Sequence, residues 1–187
     1  MRRRHSALAL LSLLLSACAS APPASTPPVQ SGAQRRYSGR LALSLAADSP
    51  SARHAKGGSA GFELLGTPQA GVLSLISPLG TLMARVRWSA QQAWLQQGAE
   101  DEQLYDSMDA LLAQLLGEAL PLAALFDWLH GQPWSGAAHD AVEPQAFVQL
   151  GWRVDLRRMA EGLLVASKLG PNPTEPLAVL RVKLDQD

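Results

Sequence analysis

Apolar side chains alternate with polar ones over several short runs of this chain, and a period of two marks strands with one buried face. From Tyr37 onward, Leu41, Leu43 and Leu45 are interleaved with Arg40, Ala42 and Ser44. A second apolar stretch, Gly61 to Leu65, is followed after Gly66-Thr67-Pro68 by Val72 to Ser77. Past Pro78-Leu79-Gly80 the alternation resumes through Leu82, Ala84, Val86 and Trp88, and Ala93 to Gln97 supplies a further short strand. The period then becomes helical. Met108, Leu111, Leu112, Leu115 and Leu116 fall three and four apart, with Asp106 or Ser107 placed to cap the first turn. A second helix is bracketed by Pro121 near its start and Gly131 just beyond its end, with Leu122, Leu125, Phe126 and Leu129 along it. Strand periods return over Phe147 to Leu150, Trp152 to Leu156, Leu163 to Ser167 and Ala178 to Leu184. Strands, two helices, then strands predict an α+β fold, an antiparallel sheet with its helices gathered on one side. Nowhere do strand and helix alternate as a parallel sheet requires.

The N-terminus has a different pattern. Arg2, Arg3 and Arg4 precede an apolar run from Ala7 to Leu15, which ends in small residues at Cys18. That order is a secretory signal, and the run is too short to cross a bilayer as a helix. Residues 1–17 are therefore expected to be removed. Leu15-Ser16-Ala17-Cys18 resembles the bacterial lipobox, so Cys18, the chain's one cysteine, is the expected site of lipidation. With that thiol acylated, no disulfide can form, and stability has to come from packing. Residues 18–36, with Pro22, Pro23, Pro27 and Pro28 among small polar residues, read as an extended tether, and residues 37–187 as one domain.

Loss of the leader lowers the count of Lys and Arg from 16 to 13 against 16 acidic residues, a formal charge of −3. A chain of that charge without a basic stripe has no electrostatic case for binding nucleic acid. Gly57-Gly58-Ser59-Ala60-Gly61 matches the nucleophile-elbow pattern of hydrolases, which would make Ser59 a candidate nucleophile of a lipid esterase. An elbow needs a hydrophobic strand before the serine and a helix after it. Here polar Ser51 to Lys56 precedes it and a strand follows. His130 and His139 have no carboxylate or thiol cluster at a metal-ligand spacing, so they read as solvated, and neither a catalytic group, a metal nor a cofactor is expected. The acidic group Glu100, Asp101, Glu102 and Asp106 reads as a solvent face running into the first helix.

Five tryptophans, Trp88, Trp94, Trp128, Trp134 and Trp152, dominate the aromatic content, and they fit either a closed sheet–helix core or an apolar cavity between sheet and helices. Leu79 is more pointed. It stands at the tip of the turn Ser77-Pro78-Leu79-Gly80, between two good strands, with no evident core to enter.

Taken in order, several segments resemble the LolB family of outer-membrane lipoprotein receptors. They are Gly39-Arg40-Leu41, Leu73 to Gly80, Leu120-Pro121-Leu122 with Trp128-Leu129, Gly131-Gln132-Pro133, Phe147-Val148-Gln149 and Gly151-Trp152, all behind a lipobox. The resemblance implies an antiparallel half-barrel with a helical lid over a hydrophobic cavity, and Leu43, Phe62, Leu75, Trp88, Trp128 and Trp152 are the candidates to line it. It implies a membrane-insertion loop at Pro78, Leu79 and Gly80. It also implies a role in which the protein accepts acylated lipoproteins from a LolA-like periplasmic carrier and places them in the outer membrane without catalysis. The chain is then expected to be a monomer anchored in the outer membrane with its domain in the periplasm, and Ala19, unlike an aspartate after the anchor, agrees with that destination. The chain departs from the family at Phe126, where an arginine is common. A structural lipoprotein that docks on an envelope partner is the alternative.

Overall fold

A computed structural model describes residues 34–46, 57–116, 122–172 and 175–186. Cys18, the leader and most of the tether lie outside the described residues, as do Gly117 and Pro121 between the helices. Among the described residues there are eleven strands: β1 (Arg35–Leu45), β2 (Gly58–Thr67), β3 (Ala70–Ile76), β4 (Leu82–Trp88), β5 (Ala93–Gln97), β6 (Gln103–Tyr105), β7 (His139–Glu143), β8 (Ala146–Gln149), β9 (Trp152–Asp155), β10 (Leu163–Lys168) and β11 (Ala178–Leu184). Two helices, α1 (Met108–Leu116) and α2 (Leu122–Leu129), interrupt them. The strands form one antiparallel sheet in the order β6-β5-β4-β3-β2-β1-β11-β10-β9-β8-β7. The first and last strands therefore pair at the centre, and each flank is a meander. The sheet is open, with β6 and β7 at its two edges.

The alternation in the sequence becomes a continuous apolar row on one face. Leu95 faces Val86, Val86 faces Leu73, Leu73 faces Leu64, and Leu64 faces Tyr37 across successive strands. Beyond the central pair, Leu41 opposes Val182 and Val182 opposes Leu164. Direct cross-strand neighbours share a face, so one register error would turn the whole row outward.

α2 shows that this sheet cannot be flat. Phe126 packs edge-on against Trp88 of β4 at 6.4 Å, and Trp128 packs against Trp152 of β9 at 6.4 Å. Residues two apart point to opposite sides of a helix. Six strand steps separate β4 from β9, about 29 Å in a flat sheet. Both strands touch one helix about 10 Å across, so the two arms must curl toward each other. The result is a trough with α2 in it, and α2 buries Leu122, Ala124, Phe126, Trp128 and Leu129 while Asp127 on its outer side pairs with Arg35 at 3.8 Å.

Local chemistry sets the helix ends. Ser107 Oγ accepts the Ala110 N–H at 3.0 Å, so the serine, of the two candidates, is the cap. Asp109 Oδ1 accepts the N–H of Leu122 at 3.4 Å and joins the two helices. α2 closes with the N–H of Gln132 on the Asp127 carbonyl, and Gly131 takes the left-handed conformation there, φ 79°.

The strand pattern missed two elements, β6 and β7. Neither could be seen from alternation, because Gln103–Tyr105 spans three residues and all five of His139–Glu143 are exposed. Edge strands with no buried face have no period to display. β1 also takes in Arg35 and Arg36, which pair with Gly66 and Leu65 because β2 runs on to Thr67.

Gly39 has φ 152°, and a Cβ there would sit 2.0 Å from the carbonyl oxygen of Lys183 on β11. Only glycine allows the central strands that closeness. Gly39→Ala is expected to lower stability by about 2 kcal/mol or more, read as a reduced urea midpoint, because backbone rather than a flexible side chain must give way.

Candidate functional site

The turn between β3 and β4 presents one apolar side chain to solvent on a rigid mount. Ser77 N–H donates to the Thr81 carbonyl at 2.8 Å, and Gly80 N–H donates to the Ser77 carbonyl at 2.9 Å. The Ser77 hydroxyl accepts the N–H groups of Leu79 at 3.3 Å and Thr81 at 3.1 Å. Gly80 supplies the positive φ, 83°, that brings the chain back. None of these bonds uses the Leu79 side chain, which is 94% exposed, the most exposed large hydrophobic residue described. Pro78 and Gly80 are exposed beside it. A lone exposed leucine is ordinary on a protein surface, but one held at a hydrogen-bonded tip is displayed.

Antiparallel alternation places this tip on a particular rim. β1 ends there, β2 begins there, and the β5–β6, β8–β9 and β10–β11 connections share it.

The six cavity candidates all face the trough. Phe62, Trp88, Trp128 and Trp152 are buried, while Leu43 and Leu75 are half-buried and pack against the same cluster. In this structure the space among them is occupied by α1 and α2 side chains, including Leu111, Leu122, Phe126 and Leu129. Phe126 sits between Tyr37 at 6.3 Å and Trp88 at 6.4 Å. An uncharged ring suits that place, where an arginine would have to carry its charge out of an apolar interior. Trp152 Nε1 is buried without a hydrogen-bond partner among the described residues, and the Lys168 ammonium lies 5.9 Å from the centre of the same ring.

Gln149 was visible in the sequence only as part of a family-like segment, yet it holds the second helix to the sheet. It is 1% exposed. Its Oε1 accepts the Trp128 indole N–H and the Trp134 backbone N–H, each at 2.9 Å. Its Nε2 donates to the carbonyls of Trp134 at 2.7 Å and Ala137 at 2.8 Å. No sequence period reveals it, since a buried amide follows the strand alternation like any inward residue.

The remaining candidates are dispersed. Ser59 lies exposed near the start of β2, opposite Ala42, and its glycine-rich segment continues straight into the strand rather than turning into a helix. His130 and His139 are exposed, His139 edge-on to Phe147 at 5.9 Å. Glu102 of the acidic group pairs with Arg87 of β4. On the face opposite the trough, Glu143 pairs with Arg153 and Arg157, Asp155 with Arg157, and Glu161 with Arg158. The Arg157 hydrogen bond holds the Asp155 carboxyl below its ordinary pKa. The Glu143 pairs join β7 to β9 and the segment after it, while Arg158–Glu161 spans the 3-10 turn Met159–Glu161. Among the described residues no group of three or more His, Cys, Asp or Glu side chains is placed to hold a metal.

Fold and site thus define a class: an open antiparallel sheet curled over two short apolar helices, with a nearly fully exposed leucine displayed on a turn at one rim. The family model for outer membrane lipoprotein LolB matches residues 33–185. The outer-membrane lipoprotein LolB of Bordetella petrii is 30% identical over 170 residues, covering 86% of this chain and 83% of that protein. The Cupriavidus taiwanensis LolB is 33% identical over 165 residues, 82% of this chain and 77% of its own length. That of Cupriavidus pinatubonensis is 35% identical over 142 residues, 72% of this chain and 65% of its own. The chain belongs to the LolB family of outer-membrane lipoproteins. The members of that family are outer-membrane lipoproteins by name.

Proposed function

We propose that this protein receives acylated lipoproteins from a soluble LolA-like periplasmic carrier and passes their acyl chains into the outer membrane, to which it is held by lipid on Cys18. The observation that carries the reading is Leu79, 94% exposed on a rigid tip at the rim of the apolar trough.

The physics of such a transfer requires no catalytic group. Each methylene withdrawn from water is worth about 0.8 kcal/mol, so exposing one long acyl chain costs on the order of 10 kcal/mol. A transfer protein must therefore give a continuous apolar path. In this reading α1 and α2 act as a lid. Their side chains fill the trough in the free protein and give up Leu43, Phe62, Leu75, Trp88 and Trp152 of the sheet to the acyl chains when a client enters, while Trp128 lines the same space from α2. With nine and eight residues, α1 and α2 are too short to be stable alone, so their place depends on the packing that acyl chains would replace. Direction comes from successively tighter sites, with the bilayer last.

The test uses anchored protein in vesicles mixed with a carrier loaded with radiolabelled acylated lipoprotein. Label is expected to move from the supernatant to the vesicles at a rate set by the anchored protein. No transfer above that of empty vesicles would overturn the proposal.

A further inference from the structure

We infer that the β8–β9 turn is a second bilayer contact, with Leu150 as its inserted side chain beside Leu169, so that the domain meets the membrane at two points on one rim. This rests on the reading of Leu79 as a membrane tip.

The first observation is backbone conformation. Leu150 is the one non-glycine residue with positive φ among the described residues, at 54°, and Gly151 follows at 74°. Gln149 and Trp152 pair directly across them, so these two form the loop of a hairpin whose central residues both lie on the left-handed side. Turns of this kind favour Asn, Asp or Gly at the first position and disfavour a bulky apolar side chain. The strain is not exchanged for a place in the core, for Leu150 remains 37% exposed. Folding alone would be better served by asparagine.

The second observation is placement. Leu169 N–H donates to the Gly151 carbonyl at 2.9 Å, which sets a second exposed leucine against the turn. The same edge continues through the Leu177 N–H on the Lys168 carbonyl and the Ala46 N–H on the Leu177 carbonyl, ending at β1. This rim also carries Leu79. Measured along the sheet, six strand steps separate the two turns, about 29 Å, and the curl of the trough brings them closer. Two apolar points on one rim define which way the trough opens, as one point cannot.

Anchor geometry allows the pose. β1 begins at the opposite rim, and its 11 residues are about 36 Å long. Residues 18–34, fully extended at about 3.1 Å each, reach about 53 Å. The anchored end can therefore pass the length of the domain and let the far rim face the same bilayer. The occupant is lipid rather than a protein strand because both turns present side chains at hairpin ends, where no strand edge is offered for pairing.

Once Cys18 is acylated the protein has no other thiol, so a single new cysteine accepts an environment-sensitive fluorophore. Leu150→Cys, Leu79→Cys and Leu65→Cys are labelled in the lipid-anchored protein and placed in vesicles of phosphatidylethanolamine and phosphatidylglycerol. Leu65 is the control, equally exposed at 37% but on β2 near the opposite rim. Emission at 150 and at 79 should shift to the blue and brighten severalfold relative to detergent-free soluble protein, and emission at 65 should not. A shift at 79 without one at 150 overturns the inference and leaves the tip reading standing. Shifts at neither remove both, and a shift at 150 alone removes the role of Leu79 and with it the two-point contact. Equal shifts at all three mean unspecific adsorption and also overturn it. Leu150→Asn supplies the second readout: its urea midpoint should rise while client delivery slows severalfold. A rise in midpoint with unchanged delivery would show the leucine to be merely tolerated.

Discussion

Leu79→Glu is expected to leave the fold and acyl-chain uptake intact and to stop delivery to the bilayer. The turn's hydrogen bonds come from Ser77, Gly80 and Thr81, and the leucine side chain touches little, so stability should stay within about 0.5 kcal/mol of the original. Delivery is another matter. Placing a leucine side chain in hydrocarbon gains about 2 kcal/mol, and a carboxylate resists entry by a similar amount or more. The swing, on the order of 4 kcal/mol, corresponds to about a thousandfold loss of the inserted state. The measurement is transfer of radiolabelled client to vesicles alongside client co-purified with the variant. Accumulation of client on the variant with little in the bilayer is the expected pattern. Transfer at the original rate would remove Leu79 from the mechanism.

The second large effect is on stability. Gln149→Leu keeps the approximate volume of the side chain and removes four hydrogen bonds at once. It strands the buried Trp128 indole N–H and the half-buried Trp134 N–H and carbonyls of Trp134 and Ala137. A buried polar group without a partner costs about 1–3 kcal/mol. Even with relaxation of the Trp134–Ala137 loop toward water, a loss on the order of 4 kcal/mol is expected, a large share of the usual 5–15 kcal/mol of a domain. Urea unfolding followed by tryptophan fluorescence reads it directly, since Trp128 and Trp134 both report on the site. Gln149→Glu should also destabilise, because the carboxylate keeps the acceptor, loses both donated bonds and buries charge. A variant as stable as the original would mean that the loop, not the amide, holds α2 in the trough.

The strands with a buried face, β4, β5 and β11 above all, lie where alternation places them, and the bounds of Leu82–Trp88, Ala93–Gln97 and Ala178–Leu184 are those of the pattern itself. The helices follow from spacing and from Ser107 and Gly131. The prominence of Leu79 was also legible, because a leucine between Pro and Gly in a hairpin turn has no inward direction available. β6 and β7 were not, lacking a buried face. Gln149 and the left-handed Leu150 were not either: an inward amide and a strained leucine look in the sequence like an ordinary strand residue and its neighbour.

What the sequence determined by itself is local and periodic: which residues alternate, where helices start and stop, which end carries the expected leader and lipid-bearing cysteine, and that no metal or catalytic cluster is to be expected from spacing. Those properties depend on neighbours within a few residues, so a linear text carries them. Only the tertiary structure decided that β1 pairs with β11, that the arms curl around α2, that the candidate lining residues are packed against the helices, and that Leu79 and Leu150 occupy one rim. These depend on contacts between residues more than a hundred positions apart, such as Leu43 with Leu180. Their energies arise from burial and register across the whole sheet, which no local period encodes.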